Sequence, residues 1–145
     1  MNNTIARQLT ITPIFGLPDI QPGDDIVNMI LLNARRHNST IINFDIFVIT
    51  QKIISKSESR LIDIRSVSPS SYAQQLSEET GKDPRLLQLI LNESKEVMRV
   101  RKGLIIVRHK LGFVCANAGI DHSNTIPGEE ASNYVLLLPE NPDLS

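Results

Sequence analysis

"GLIIVRHKLGFVCANAG", Gly103–Gly119, reads as two short apolar β segments on either side of Leu111-Gly112. A glycine turn between β-rich runs marks a hairpin, and a hairpin makes its strands antiparallel. Upstream, "SPSSYAQQLSEETG" (Ser68–Gly81) carries a Ser cap, a proline at a first-turn position and a closing glycine, which together punctuate a helix. "KDPRLLQLILNESKEVMR" (Lys82–Arg99) repeats the entry device with Asp83 before Pro84, then places Leu87, Ile90, Leu91, Ser94 and Val97 at helical spacing. Two consecutive helices are therefore predicted ahead of the hairpin. "SNYVLLLPENPDLS" (Ser132–Ser145) adds one more apolar run before a Pro-rich stop.

Further towards the N-terminus, "LTITPI" (Leu9–Ile14) alternates like a strand, with Pro13 removing a ladder donor and so suggesting an edge or a strand end. "FGLPDIQPGDD" (Phe15–Asp25) holds two glycines and two prolines and must be a loop. Asp24 or Asp25 can cap a helix over "DIVNMILLNARRH", where Ile26, Met29, Ile30 and Ala34 share a face and Arg35, Arg36 and His37 lie at the negative C-terminal end. "FDIFVITQKIIS" (Phe44–Ser55) is rich in Ile, Val and Phe and reads as a buried strand. "SRLIDIRSV" (Ser59–Val67) alternates like a half-exposed partner, and the polar "SKSES" joins the two. The order β-α-β-β-α-α-β-β-β mixes hairpins with helices. It predicts an α+β fold, a mixed or antiparallel sheet with about three helices, in one domain over residues 1–145.

Composition excludes some partners. There are 15 basic and 16 acidic side chains, and aromatics make up only 4% with no tryptophan, so neither a phosphate-neutralising surface nor a base-stacking platform is expected. No nucleic acid is expected as a partner. Arg99, Arg101, Lys102, Arg108 and Lys110 come nearest to a basic cluster, and they are expected to flank a strand and face solvent. Cys115 is the only cysteine, so no internal disulfide can form. "MNNTIARQLT" lacks an apolar signal core and no apolar run approaches the ~20 residues needed to cross a bilayer. A cytoplasmic protein without membrane contact is expected.

Three constellations can carry chemistry. "GLPDI" (Gly16–Ile20) exposes backbone beside a stiffened turn, and is either a ligand-facing surface or a plain connection. In "TQKIISKSESR", Lys52, Lys56 and Arg60 recur every four residues, and a trio of cations on one face suits an anionic ligand, with Lys as point charge and Arg as fork. The alternative is a solvated face with Glu58 as local partner. In "VCANAGIDHSN" (Val114–Asn124), an apolar run gives way to Asn117, Asp121, Ser123 and Asn124 around Gly119. Asp121 can offer a hard oxygen to Mg²⁺ or Mn²⁺, with phosphates or a second acid completing the shell, or can satisfy backbone amides in its own turn. His122 should point to the opposite side and lie on the surface. His37 and His109 lack metal-like partners in the sequence, and Cys115 reads as a small core residue. Glu93 and Glu96, three apart, read as neighbours on a solvated helix face.

Taken together, "GLPDI", "GDDI", "QKIISKSESR", "GKDPRLLQLILNESKEVMR", "GFVCANAGIDHSN" and "LLLPENPD" resemble, in order and spacing, the N-terminal part of coenzyme F420-0:L-glutamate ligase, a GTP-dependent γ-glutamyl ligase family. The resemblance runs from about Leu9 to the last residue. It implies addition of L-glutamate to the carboxylate of F420-0, using GTP and Mg²⁺ or Mn²⁺, through an acyl phosphate. It further implies that Leu17, Pro18, Asp19 and Ile20 form a GTP-contacting loop, that Gln51, Lys52, Lys56 and Asn124 also touch GTP, and that Asp121 binds the metal. No catalytic side chain is implied. A homodimer is implied as well. The sequence departs from the family pattern at Ser57 and Ser59, where Ala and Gly are usual, and at "NFD" (Asn43–Asp45), where Asp-Gly-Asp is commoner. Gln51 and Lys52 stand where small hydroxyl residues are usual. The chain also stops at "NPDLS", before the Asp-Thr pair that completes the family's metal site, which implies a truncated form. A catalytically silent nucleotide-binding or assembly module, needing a separate second half, is the alternative.

Overall fold

Helix α1 (Ile26–Arg36) starts where the Asp25 carboxylate accepts a hydrogen bond from the Asn28 amide, and it buries Ile26, Ile30, Asn33 and Ala34. Arg35 and Arg36 occupy its last turn, as the macrodipole favours. The computed structural model describes residues 9–122 and 129–145. Within them follow α2 (Gln51–Ser57), β1 (Leu61–Asp63), α3 (Ser71–Thr80), α4 (Pro84–Asn92), β2 (Ser94–Arg101), β3 (Leu104–His109), β4 (Val114–Ala116) and β5 (Tyr134–Leu136), with 3₁₀ turns at Ile64–Ser66, Asn117–Gly119 and Glu129–Asn133. This is an α+β fold whose strand pairs are all antiparallel: β2-β3-β4 form one sheet and β1-β5 another.

The hairpin that the sequence places about Leu111-Gly112 is present, with Val107 opposite Cys115. The two helices before it are also present. Asp83 caps α4 by accepting from the Arg85 amide at 2.8 Å, with Pro84 in the first turn. Gly81 ends α3 in the left-handed region at φ 71°. Leu87, Ile90, Ile105, Val107, Ala73, Leu76 and Ala118 bury together between α3, α4 and β3. A fully buried Leu or Ile contributes roughly 1.5–3 kcal/mol, so these few side chains hold the helices to the sheet. Ile64, Leu89, Val135 and Leu137 form a second cluster, which ties α4 to β5.

Several expected elements differ. Leu9–Ile14 makes no strand; Leu9 and Ile11 are exposed, and Pro13 cannot donate to a ladder. The buried strand predicted over Phe44–Ser55 is absent. Residues 44–50 are irregular, with Phe44, Ile46 and Val48 almost fully exposed, and α2 begins at Gln51. The reason is local: Thr50 Oγ1 accepts from the Lys52 amide and caps a helix, and Ile53 and Ile54 pack against Ile20, Ile26 and Ile30. Over so short an apolar run, a period of two and a period of 3.6 are indistinguishable. Most of "SKSES" accordingly lies inside α2. "SRLIDIRSV" forms a strand only at Leu61–Asp63, because the Asp63 carboxylate accepts from the Arg65 amide and starts a 3₁₀ turn. The cap of α3 is Ser70, accepting from the Ala73 amide, so Pro69 precedes the helix instead of opening it. Helix α4 stops at Glu93, and Ser94–Val97 belong to β2, where Val97 pairs with Val107.

Candidate functional site

Strand β4 leaves its sheet through a turn that bends the chain back onto β5. Asn117, Ala118 and Gly119 all have positive φ, at 52°, 53° and 69°. Only glycine adopts such a conformation without cost, and Ala118 is held in it while fully buried. An added Cβ at Gly119 would lie 2.7 Å from Leu138 Cδ1, so the chain requires glycine there on both counts. The turn delivers Asp121 to β5, where its amide donates to Leu136 O at 2.9 Å and the Leu136 amide donates back at 2.8 Å. Backbone strain of this kind collects at functional sites.

Asp121 therefore starts from a fixed backbone, and its Oδ2 lies 2.9 Å from Lys52 Nζ. Both side chains keep about a third of their surface in solvent, 31% for Lys52 and 28% for Asp121. Lys52 stands in the first turn of α2, with Lys56 one turn further along the same face. That helix is held from both ends. Gln51 Nε2 donates to Ser55 Oγ and to Leu137 O, the latter at 3.3 Å, and the Gly23 amide donates to Ser57 O at 2.7 Å.

The underside of α2 rests on the glycine-proline loop. Leu17 and Ile20 pack with Ile53 and Ile54 in the cluster that also holds Ile26 and Ile30. Pro18 and Asp19 face solvent on the outside of the loop. Gly16 sits at φ 79°, and a Cβ there would meet Asn33 Oδ1 at 3.2 Å. Helix α2 thus forms the common element: Leu17 and Ile20 below it, Gln51, Lys52 and Lys56 on it, Asp121 against it. Asn124 lies outside the described residues, as does Ser123. His122 is exposed as expected.

The cation trio does not hold together. Arg60 turns inward, Nη2 donating to Glu93 Oε2 at 2.6 Å and Nε to Leu138 O at 2.8 Å. Glu93, expected on a solvated helix face beside Glu96, is instead buried at the C-terminus of α4 and also has Lys110 Nζ 3.6 Å away. Glu96 lies exposed on β2, 3.4 Å from Arg108. His109 completes the buried group. Its Nδ1 accepts from the Leu111 amide at 3.0 Å, so the neutral ring carries its proton on Nε2, which faces Glu93 Oε2 at 3.8 Å with no hydrogen-bond partner among the described residues. The ring stacks on Phe113 at 4.9 Å. Burial pushes the His109 pKa down, against the pull of Glu93, with Lys110 and Arg60 adding to the depression. Sequence reasoning missed this cluster; the only hint was a histidine closing a strand that opens with four apolar residues. Cys115 is half-buried, and burial raises its thiol pKa. Arg99, Arg101, Lys102, Arg108 and Lys110 are exposed around the β2-β3 hairpin.

Chemically, two lysines on a short helix beside a carboxylate can receive a phosphate-bearing ligand, each ammonium acting as a point charge on oxygen. Asp121 offers a divalent cation one hard oxygen. Among the described residues no three or more His, Cys, Asp or Glu side chains surround a common point. The donor set fits such a cation as a single protein ligand beside phosphate oxygens and water. No helix of the described residues is long and apolar enough to cross a membrane.

Within this α+β frame, a short helix bearing two lysines meets a carboxylate at a strand exit. The sequence profile of the F420-0:gamma-glutamyl ligase family matches residues 15–145, and the chain belongs to that family. It is 39% identical over 137 residues to the coenzyme F420:L-glutamate ligase of Methanopyrus kandleri, covering 94% of this chain and 50% of the relative. It is 38% identical over 135 residues to that of Methanothermobacter thermautotrophicus, covering 93% and 52%. With that of Methanocaldococcus jannaschii it is 46% identical over 101 residues, or 70% of this chain and 38% of the relative. The chain spans about half the length of the curated relatives it matches.

Proposed function

We propose that this chain supplies the nucleotide-side half of a ligase joining L-glutamate to coenzyme F420-0, at the expense of GTP and with Mg²⁺ or Mn²⁺. The observation that carries this reading is the Lys52–Asp121 contact at 2.9 Å on the helix that also bears Lys56 and rests on the Leu17 loop. Family membership over residues 15–145 and the activity named for the relatives support the same reading.

A carboxylate is a poor electrophile, so an oxygen of the F420-0 carboxylate attacks the γ-phosphorus of GTP, the bond to the β-phosphate oxygen breaks, and GDP leaves. The acyl phosphate so formed is attacked at its acyl carbon by the glutamate amine, which loses a proton as inorganic phosphate departs. Catalysis of such a transfer consists largely of positioning and charge neutralisation. Lys52 and Lys56 hold the phosphates, Gln51 braces the helix against Leu137, and Leu17, Pro18, Asp19 and Ile20 form the wall beside the nucleotide. Asn124 contacts the nucleotide in the same scheme. Asp121 provides one ligand to a divalent cation, which when bound neutralises the γ-phosphate. The same reading places the protein in the cytoplasm as a homodimer.

The test is GTP-dependent glutamylation of F420-0, comparing the unaltered protein with Asp121→Ala. Turnover should fall by at least about a hundred-fold if the metal clamp is lost. Turnover indifferent to the change removes Asp121 from the metal role. A second reading is favoured by the exposed apolar residues Phe44, Ile46 and Val48: a nucleotide-binding module that is silent until a complementary half covers them. Calorimetry with GTP and Mn²⁺ would then show binding without turnover.

A further inference from the structure

Resting on the reading of Asp121 as a cation ligand, the geometry points to Lys52 as a tethered competitor that keeps a divalent cation off Asp121 until phosphate draws the ammonium away. Lys52 Nζ lies 2.9 Å from Oδ2 of the carboxylate that a metal ion would use. A bound Mg²⁺ would sit at about 2.1 Å from that oxygen, inside the ammonium's own contact distance, and two like charges cannot share it. Neither backbone is loosely placed. The Asp121 backbone is bonded in both directions to Leu136, and α2 is fixed by the Thr50 cap and by Gln51 on Leu137 O. The pair is therefore pre-formed by the fold.

Polyphosphate changes the balance. Its oxygens offer Lys52 a stronger partner than one carboxylate, and the freed Oδ2 then meets the cation that the polyphosphate carries. The metal consequently enters together with the nucleotide and not ahead of it. Lys52 thus acts through Asp121 before the nucleotide arrives and on phosphate afterwards.

The experiment follows free Mn²⁺ by electron paramagnetic resonance, without nucleotide, in the unaltered protein, Lys52→Met, Lys52→Arg, Asp121→Asn and the double variant Lys52→Met, Asp121→Asn, with circular dichroism melts to establish folding. Lys52→Met should tighten Mn²⁺ binding about three- to five-fold, the scale of a partly exposed ion pair. Lys52→Arg should keep the weak binding because the charge remains, and the double variant should lose the gain. If Lys52→Met binds no more tightly while Asp121→Asn weakens binding, the competitor role is overturned and the ligand reading stands. If Asp121→Asn alters nothing in either background, both fall.

Discussion

His109 shows how one buried side chain imposes a pH dependence on the whole fold. Its ring is 2% exposed and neutral, and burial holds its pKa below the ordinary 6.5. Between that depressed value and 6.5 the unfolded chain binds the proton that the folded chain refuses. Stability contributed by the neutral ring is thus complete above pH 6.5 and is lost as the pH falls towards the folded value. Unfolding free energy measured by denaturant titration should be level from pH 8 to 7 and decline below about pH 6.5. His109→Phe, which keeps a ring against Phe113, should flatten that part of the profile; an unchanged decline would assign it elsewhere. At the same scale, the sequence could announce Asp121 and Lys52 as chemistry-bearing residues but not as partners. They are separated by about half of the chain, and Leu136 and Leu137 at the end of β5, the first bonding Asp121 and the second receiving Gln51, bring them together.

Elements were legible where a capping residue agreed with a period. Asp25, Asp83 and Gly81 each mark a boundary that the structure keeps, since each satisfies backbone groups the helix end leaves open. Asp83 is doubly engaged, accepting from the Arg85 amide and pairing with its guanidinium at 2.6 Å. Arg85 beside it holds its carboxyl below the usual carboxylate range. Asp83→Ala should cost about 1 kcal/mol in chemical denaturation without altering the sheet. A loss within error would show that Pro84 and packing alone set the start of α4. Where period and cap competed, the apolar pattern misled. "FDIFVITQKIIS" reads as a strand because it is rich in Ile, Val and Phe, yet the Thr50 hydroxyl inside it caps α2.

For the molecule as a whole, the fold class and the candidate carboxylate followed from sequence, whereas the distribution of apolar surface did not. Phe44 is 99% exposed and Val48 94%, on a stretch that composition places in a core. Contiguous apolar exposure of this kind marks an association surface. Phe44→Ser with Val48→Ser should leave unfolding free energy within about 0.5 kcal/mol, because neither side chain is buried, while shifting the sedimentation velocity of the proposed homodimer towards the monomer. Unaltered association would place the contact on another face.

Helix α2 has seven residues, about half of what a lone peptide needs to stay coiled in water. Its conformation is borrowed from the segments it touches, so this helix and the pairing of β5 with β1 rise and melt as one cooperative unit. Amide protons of Ile53 to Ser57 should then exchange in step with those of Val135 and Leu136, so that the proposed hold on phosphate would gauge how well the far end of the chain is docked.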